Sequence, residues 1–371
     1  MSIQPQLVQD ELRIKEERIR KLCLELKLDG LCFFKFMNFS WFTAGGSNRV
    51  VTGSERGCSF ILYLRGKIYV FAPCNEIERI TNEQIPFNEY EAVIYDWYNN
   101  PIEVLKDKIK DLRVGSDVPV PGFEMVSYDI DRMRFSLTET EVHKTKEVAF
   151  ICSEKLASIC VDTKSGTTEQ EIAARISFEL LQKGVKPAVL LVGTDERLFT
   201  CRHPVPTEKK LEKYGLISLV GEKWGLHITL TRAFYLGELP EDIKSRQLKV
   251  CQIDAAMIAN TILGEASDLA FQACQREFAS IGYPDEWKGH HQGGAIGYAP
   301  REFRAGERVE KVQVNQMFGW NPTFKGTKSE GTILVDEKGV QQVLDYVPKW
   351  WPTTKIDIAG KKIVRPLILE F

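Results

Sequence analysis

Long apolar runs are missing from this 371-residue chain. No stretch has the length and apolarity of a bilayer-spanning helix. The opening residues, MSIQPQLVQDELRIKEERIRKLCLELK, interleave acids and bases at helical spacing and lack the apolar core of a signal peptide. A charge excess is missing too: 49 Lys and Arg stand against 51 Asp and Glu, a net charge of -2. That balance gives no electrostatic case for nucleic acid or an anionic membrane as partner. The nine cysteines include no CxxC pair. An odd, scattered set predicts reduced thiols and a cytoplasmic protein rather than a disulfide framework. Internal repeats and low-complexity segments are absent as well.

What is present is ordinary for a soluble globular protein, with 43% hydrophobic and 27% charged residues. The length suits two domains. Residues 8–29 form an amphipathic pattern with Leu22, Cys23, Leu26 and Leu28 on one side. Strand patterns follow at 30–35, 58–64, 67–73 and 91–98, then a helix over 101–112 and a strand entering a loop at 113–119. This alternation predicts a small α/β domain. The pattern then changes. Thr138 with Glu141, and Thr168 with Glu171, read as capping boxes opening two helices, the second closed by Gly184. Residues 214–236 alternate as a β-hairpin, helices fill 240–281, and strands lie near 309–318, 331–336 and 340–346. The expectation is an α/β (α+β) chain divided into 1–137 and 138–371.

The order of elements after residue 138 is two helices, a His-containing loop, a hairpin ending in Thr231-Arg232, helices, a Gly-rich strand and two late strands. It resembles the pita-bread fold of the methionine aminopeptidase, aminopeptidase P, prolidase and creatinase superfamily. The first domain resembles the N-terminal domain of creatinase and prolidase. The resemblance implies a centre where two Asp, one His and two Glu hold two divalent ions. Carboxylates are needed there to offset the repulsion between two dications. Counted from Thr231-Arg232, the two Asp positions fall at Thr229 and at Ser218, or Val220 in a shorter hairpin. The His position in Gly293-Gly294-Ala295-Ile296-Gly297 is Gly294. The first Glu position, in VQVNQMFGW, is assigned to Asn315, and the last is Glu330. The chain is identified as a divergent member lacking most of the metal ligands. One carboxylate among Ser, Thr, Asn and Gly does not neutralise two dications. No dinuclear metal site and no cofactor are expected.

Creatinase also works without metal, and its site implies roles for what remains. His203, fifteen residues before Ser218, matches its proton-shuttling histidine, and Arg301-Glu302 match its substrate-gripping Arg-Glu by spacing from His290. A histidine can serve as base and then acid near neutral pH, and an arginine clamps a carboxylate with two parallel bonds. The glutamates that creatinase offers a guanidinium fall at Thr231 and Asn315, which points away from creatine towards an N-acyl amino acid, a lactam or a cyclic amidine. His203 and Glu330 are the catalytic candidates; Arg301, His290, Asn315, Arg49 and Arg56 are the substrate-binding candidates. Each has a plainer reading. His203 would bond a loop, His290 order a turn, Arg301 pair with Glu302, and Glu330 hold Lys328 or backbone. His227 reads as structural, and a Cys201–His203 nucleophile is the weaker option. In family dimers the partner's N-terminal domain covers the site, so Arg49 or Arg56 in GGSNRVVTGSERG would enter a neighbouring pocket.

Three functions compete. The first is a metal-independent hydrolase of a C–N bond in a small neutral or anionic substrate, working as a homodimer. The second is a non-catalytic pseudo-peptidase that binds a small ligand or peptide. The third is an Xaa-Pro metallopeptidase with His290 or His291, Glu302 and Glu330 as ligands in a different register.

Overall fold

A computed structural model describes residues 5–371. The chain forms two compact units: one runs to Glu141 and takes in Trp224–Leu226, and the other holds Val142–Lys223 and His227–Phe371.

In the first unit, α1 (Pro5–Leu26) precedes β1 (Gly30–Lys35), α2 (Phe36–Phe42), β2 (Arg56–Leu64), β3 (Lys67–Pro73), α3 (Ile77–Arg79), β4 (Glu91–Tyr95), α4 (Pro101–Lys108), β5 (Val114–Ser116), β6 (Glu124–Met125) and α5 (Ser127–Met133). The six strands make one mixed sheet in the order β4-β3-β2-β1-β5-β6. The β2–β3 pair is a tight antiparallel hairpin, and β1 runs parallel to β5. Cys32, Phe34, Phe60, Leu62 and Phe71 form the apolar layer on the sheet with Leu105 of α4 and Ile109 just after it. The Lys15 ammonium, fully buried, is paired to Glu11 at 2.5 Å and Glu141 at 2.8 Å. A buried cation needs such partners, because desolvation otherwise costs several kcal/mol.

Helix α6 (Glu139–Asp162) starts at the first capping box: the Glu141 carboxylate accepts from the Thr138 amide and the Thr138 hydroxyl accepts from the Glu141 amide. Helix α7 (Glu169–Leu181) starts at the second, on Thr168 and Glu171. Then come β7 (Lys186–Thr194), α8 (Arg197–Thr200), the long strands β8 (Tyr214–Lys223) and β9 (Leu226–Tyr235), α9 (Glu241–Ala259) and α10 (Asp268–Ser280). The late strands are β10 (Gly293–Ile296), β11 (Phe303–Arg304), β12 (Gln316–Trp320), β13 (Thr323–Phe324), β14 (Thr327–Lys328), β15 (Gly331–Val335), β16 (Gln341–Val343), β17 (Thr353–Ile358), β18 (Lys361–Pro366) and β19 (Leu369–Glu370).

Two sheets dominate the second unit, a four-stranded one ordered β19-β9-β8-β7 and a five-stranded antiparallel one ordered β11-β10-β12-β15-β16. They are tied together where the Thr229 amide donates to the Thr332 hydroxyl, which donates to the Thr229 carbonyl. Strands β8 and β9 are buried almost throughout, which is why β9 reads as a near-continuous apolar and hydroxyl run. Among the described residues no helix is long and apolar enough to cross a membrane.

Candidate functional site

The site lies where β9, the segment between β14 and β15, the β10–β11 connection and the loop after α8 converge. Side chains alternate along an extended chain, so Lys328 and Glu330 share a side and Ser329 takes the other. Ser329 donates to Asp254 at 2.5 Å, and Asp254 is paired with Arg365 at 2.7 Å. Arg232 is paired with Asp345 at 3.2 Å. These buried ion pairs clamp the backbone on either side of the site.

Glu330, 4% exposed, is fully engaged. One carboxylate oxygen accepts from the Thr229 hydroxyl. The other accepts from the Thr231 hydroxyl at 2.5 Å and from the Lys328 ammonium at 2.9 Å. The Arg301 guanidinium stands 3.9 Å away. Lys328 also donates to the Ser218 hydroxyl at 3.2 Å, which lies 2.6 Å from Thr231. The result is a closed ring of Lys328, Ser218, Thr231 and Glu330. Burial opposes ionisation of Glu330, but Lys328, then Arg301, then the hydroxyls of Thr229 and Thr231 overcome it and hold the carboxyl down at about 2. Arg301 and Lys328 against Glu330 leave one net positive charge.

Beside this ring stand three imidazoles. His290, at the end of a short 3₁₀ turn (Glu286–Gly289), lies with its Nε2 3.1 Å from Nε2 of His203. His290 Nδ1 is 3.3 Å from the Thr323 hydroxyl, which donates to the Asn321 carbonyl at 3.1 Å. These contacts favour one proton arrangement. With the Thr323 hydrogen on its shorter contact, to the Asn321 carbonyl, Thr323 accepts from Nδ1–H of His290. His290 Nε2 is then a lone pair that accepts from Nε2–H of His203, and the free lone pair of His203 is on Nδ1. The His291 ring stacks 4.4 Å from His290, and its Nδ1 is buried without a hydrogen-bond partner among the described residues. Burial, then Lys328, pushes His203 and His290 towards the neutral form, His290 to about 2. Burial and Arg301 bring His291 to about 4. A cleft of about 310 Å³ lined by Arg202, Tyr283, Pro284, Asp285, Glu286 and Gly289 flanks the chain neighbours of His203 and His290.

The structure brings His203, His290, Arg301 and Glu330 together. Asn315 is placed elsewhere, and this corrects the assigned register. It sits in the turn before β12 with a positive φ of 55°. The β12–β15 pairing runs Gln316↔Val335 to Trp320↔Gly331, so the residue opposite Glu330 is Asn321. Asn321 is buried, with its Oδ1 lacking a partner among the described residues. Pro322 after it, like the Pro of Ile-Glu-Pro-Gly, was the signal that finds this position. Counting an apolar strand from VQVNQMFGW missed it because the left-handed Asn315 lies in the turn before the strand rather than within it. His227 is structural, with amide and ring both turned to the Gly297 carbonyl. In the first unit Arg49 donates to the Thr52 carbonyl and stacks on Phe36, and Arg56 is exposed where β2 begins.

No family model and no curated protein matches the chain. Solved structures match it over nearly its full length. A prolidase from Pyrococcus horikoshii OT3 superposes with a TM-score of 0.76 at 18% identity, covering 91% of this chain and 99% of its own. An Xaa-Pro dipeptidase from Bacillus anthracis gives 0.74 at 19%, covering 91% and 98%. The fold is the pita-bread fold. At such identity the likeness speaks for the fold alone. The N-terminal domain of FACT complex subunit SPT16 from Cicer arietinum shares it as well, with a TM-score of 0.69 at 12% identity over 94% of this chain and 98% of its own.

The metallopeptidases of this fold imply a two-metal centre, and the residues at the five corresponding positions here do not fit one. Ser218, Thr229, Gly294, Asn321 and Glu330 offer a single carboxylate, already engaged by Lys328 and two hydroxyls. The His position is closed as well. A Cβ on Gly294 would lie 2.1 Å from the Phe303 carbonyl oxygen, because β11 pairs directly against it. Two cationic side chains stand beside the carboxylate that would have to meet two dications.

Proposed function

We propose that the chain is a metal-independent hydrolase of a C–N bond in a small neutral or anionic substrate. The observation that carries this reading is the His203–His290–Thr323 chain, which leaves a neutral histidine with an open lone pair beside a net positive site. His203 Nδ1 takes a proton from water, and the resulting hydroxide adds to the amide or amidine carbon. His290 Nε2 steadies the imidazolium that forms. The charge that develops on the tetrahedral intermediate faces Arg301 and Lys328. His203 then returns the proton to the leaving nitrogen as the C–N bond breaks. Arg301, whose side chain is 15% exposed, receives a substrate carboxylate. Glu330 acts through others: it holds Lys328 in place and limits the positive charge.

In this reading the chain is a cytoplasmic homodimer, and Arg49 or Arg56 of one copy supplies a further cation to the pocket of the other. The test is turnover of N-acyl amino acids, lactams and cyclic amidines by chelator-treated protein, with His203→Ala as the control. We expect turnover by the parent, none by the variant, and matching circular dichroism. Activity retained in His203→Ala would remove this mechanism.

A second reading, a binding protein without turnover, is favoured by the closed Lys328–Ser218–Thr231–Glu330 ring, which leaves those hydroxyls engaged with one another. A fold shared by prolidases and a subunit of the FACT complex does not itself bring an activity. Saturable ligand binding with no product would select this reading.

A further inference from the structure

We propose that His203, His290 and His291 form a site for one borderline divalent ion of the Zn²⁺ type, distinct from the five-position centre of the fold, and that the ion switches off the base. One ligand nitrogen from each of the three rings lies within 4.8 Å of the other two. His203 Nε2 and His290 Nε2 are 3.1 Å apart. Two nitrogens bound tetrahedrally at Zn–N distances of about 2.0–2.1 Å are separated by roughly 3.3 Å, so this pair already has the required bite. The third ring, within 4.8 Å of the other two, closes by up to about 1.5 Å to complete a three-histidine face with one position left open. His203 is exposed on its loop, which gives the ion a way in.

The surroundings favour imidazole coordination. His290 keeps its Nδ1 contact with Thr323 whether Nε2 meets His203 or a metal, which is the usual outer-shell arrangement for a ligating histidine. His291 carries a buried nitrogen with no partner among the described residues, a cost that coordination would remove. Lys328 and Arg301 oppose a cation here and Glu330 favours it. Affinity therefore depends on the three nitrogens rather than on charge, which selects Zn²⁺ and Co²⁺ over Mg²⁺ and Ca²⁺.

The consequence for His203 is one of tautomers. Free, it carries its proton on Nε2 and offers Nδ1. Bound through Nε2, a neutral imidazole carries the proton on Nδ1, and the lone pair used as base is gone. The proton moves within the ring, and none need be released. This switch rests on the hydrolytic reading; the binding does not, and it is read without substrate.

The experiment is a titration of untagged, chelator-stripped full-length protein with Zn²⁺ by calorimetry and with Co²⁺ by visible absorption. We expect one ion per chain and a Co²⁺ spectrum of tetrahedral intensity. His203→Ala, His290→Ala and His291→Ala should each lose at least about tenfold in affinity. Ser218→Ala, at the old centre, should leave affinity unchanged. His203 is exposed on its loop, so its variant keeps the fold and carries the test even where the buried His290→Ala does not fold. Absence of binding, or binding indifferent to His203, would overturn the site. Where turnover is found, Zn²⁺ should inhibit it and chelator restore it. Turnover undiminished at saturating Zn²⁺ would overturn the switch and, with it, His203 as base, while the binding site would stand.

Discussion

Replacing Glu330 by Gln isolates the electrostatic core of the site. Lys328 and Glu330 are 7% and 4% exposed and meet at 2.9 Å. At that distance an effective dielectric near 20 gives roughly 6 kcal/mol of gross attraction, most of it offset by the cost of desolvating two ions. Glu330→Gln keeps the shape and an acceptor for one threonine but leaves Lys328 and Arg301 without their carboxylate. An uncompensated buried charge of this kind costs about 3–5 kcal/mol. Lys328→Met strands the carboxylate in turn, though Arg301, Thr229 and Thr231 still bind it, so its cost is smaller. The double variant removes one charge of each sign, and its loss should fall short of the sum of the singles by about 2 kcal/mol. Urea denaturation of the four proteins measures the cycle. A cost below about 1 kcal/mol for Glu330→Gln would place the pair among solvent-screened surface contacts and refute the argument that an internal cation occupies this centre.

Two further outcomes follow from the same geometry. His290 and His291 have folded-state values near 2 and near 4 against an ordinary 6.5, so the unfolded chain binds their protons first. Stability is therefore fully present above about pH 6.5 and is lost as the pH falls, through about 4 for His291 and about 2 for His290, with a slope approaching roughly 2.7 kcal/mol per pH unit while both protons are at stake. Denaturation midpoints at pH 7, 6 and 5 measure this, and a His290→Asn/His291→Asn double variant should flatten the profile. Gly294→Ala places a Cβ 2.1 Å from the Phe303 carbonyl and should cost about 1–3 kcal/mol in the same assay, and Gly294→His should gain no Mn²⁺ affinity.

The local features were readable from the sequence. Both capping boxes and the 214–236 hairpin are set by neighbours in the chain, and they form where the pattern places them. Strands at 30–35 and 67–73 match residue for residue, the second opened by the Arg65-Gly66 turn and closed by Pro73. Strand β7 escaped, since KPAVLLVGT is a short apolar run that periodicity does not separate from loop or helix. The short helix FMNFSWF at 36–42 escaped too, because it is apolar on nearly every side. At the site, the loss of ligands was visible one residue at a time, whereas its replacement was not. That Lys328 reaches Glu330 and Ser218 at once depends on residues 110 positions apart in the chain. The displacement of the first Glu position from Asn315 to Asn321 is a matter of register, which only the cross-strand partner of Glu330 defines.

A positive charge carried on a side chain differs from a bound ion in one further respect. Lys328 is delivered when the chain is made, in a ratio of one to one, and no chelator, competing cation or shortage can remove it. The order of this centre is therefore independent of metal supply, and a preparation grown with or without trace metals should hold the same arrangement around Glu330.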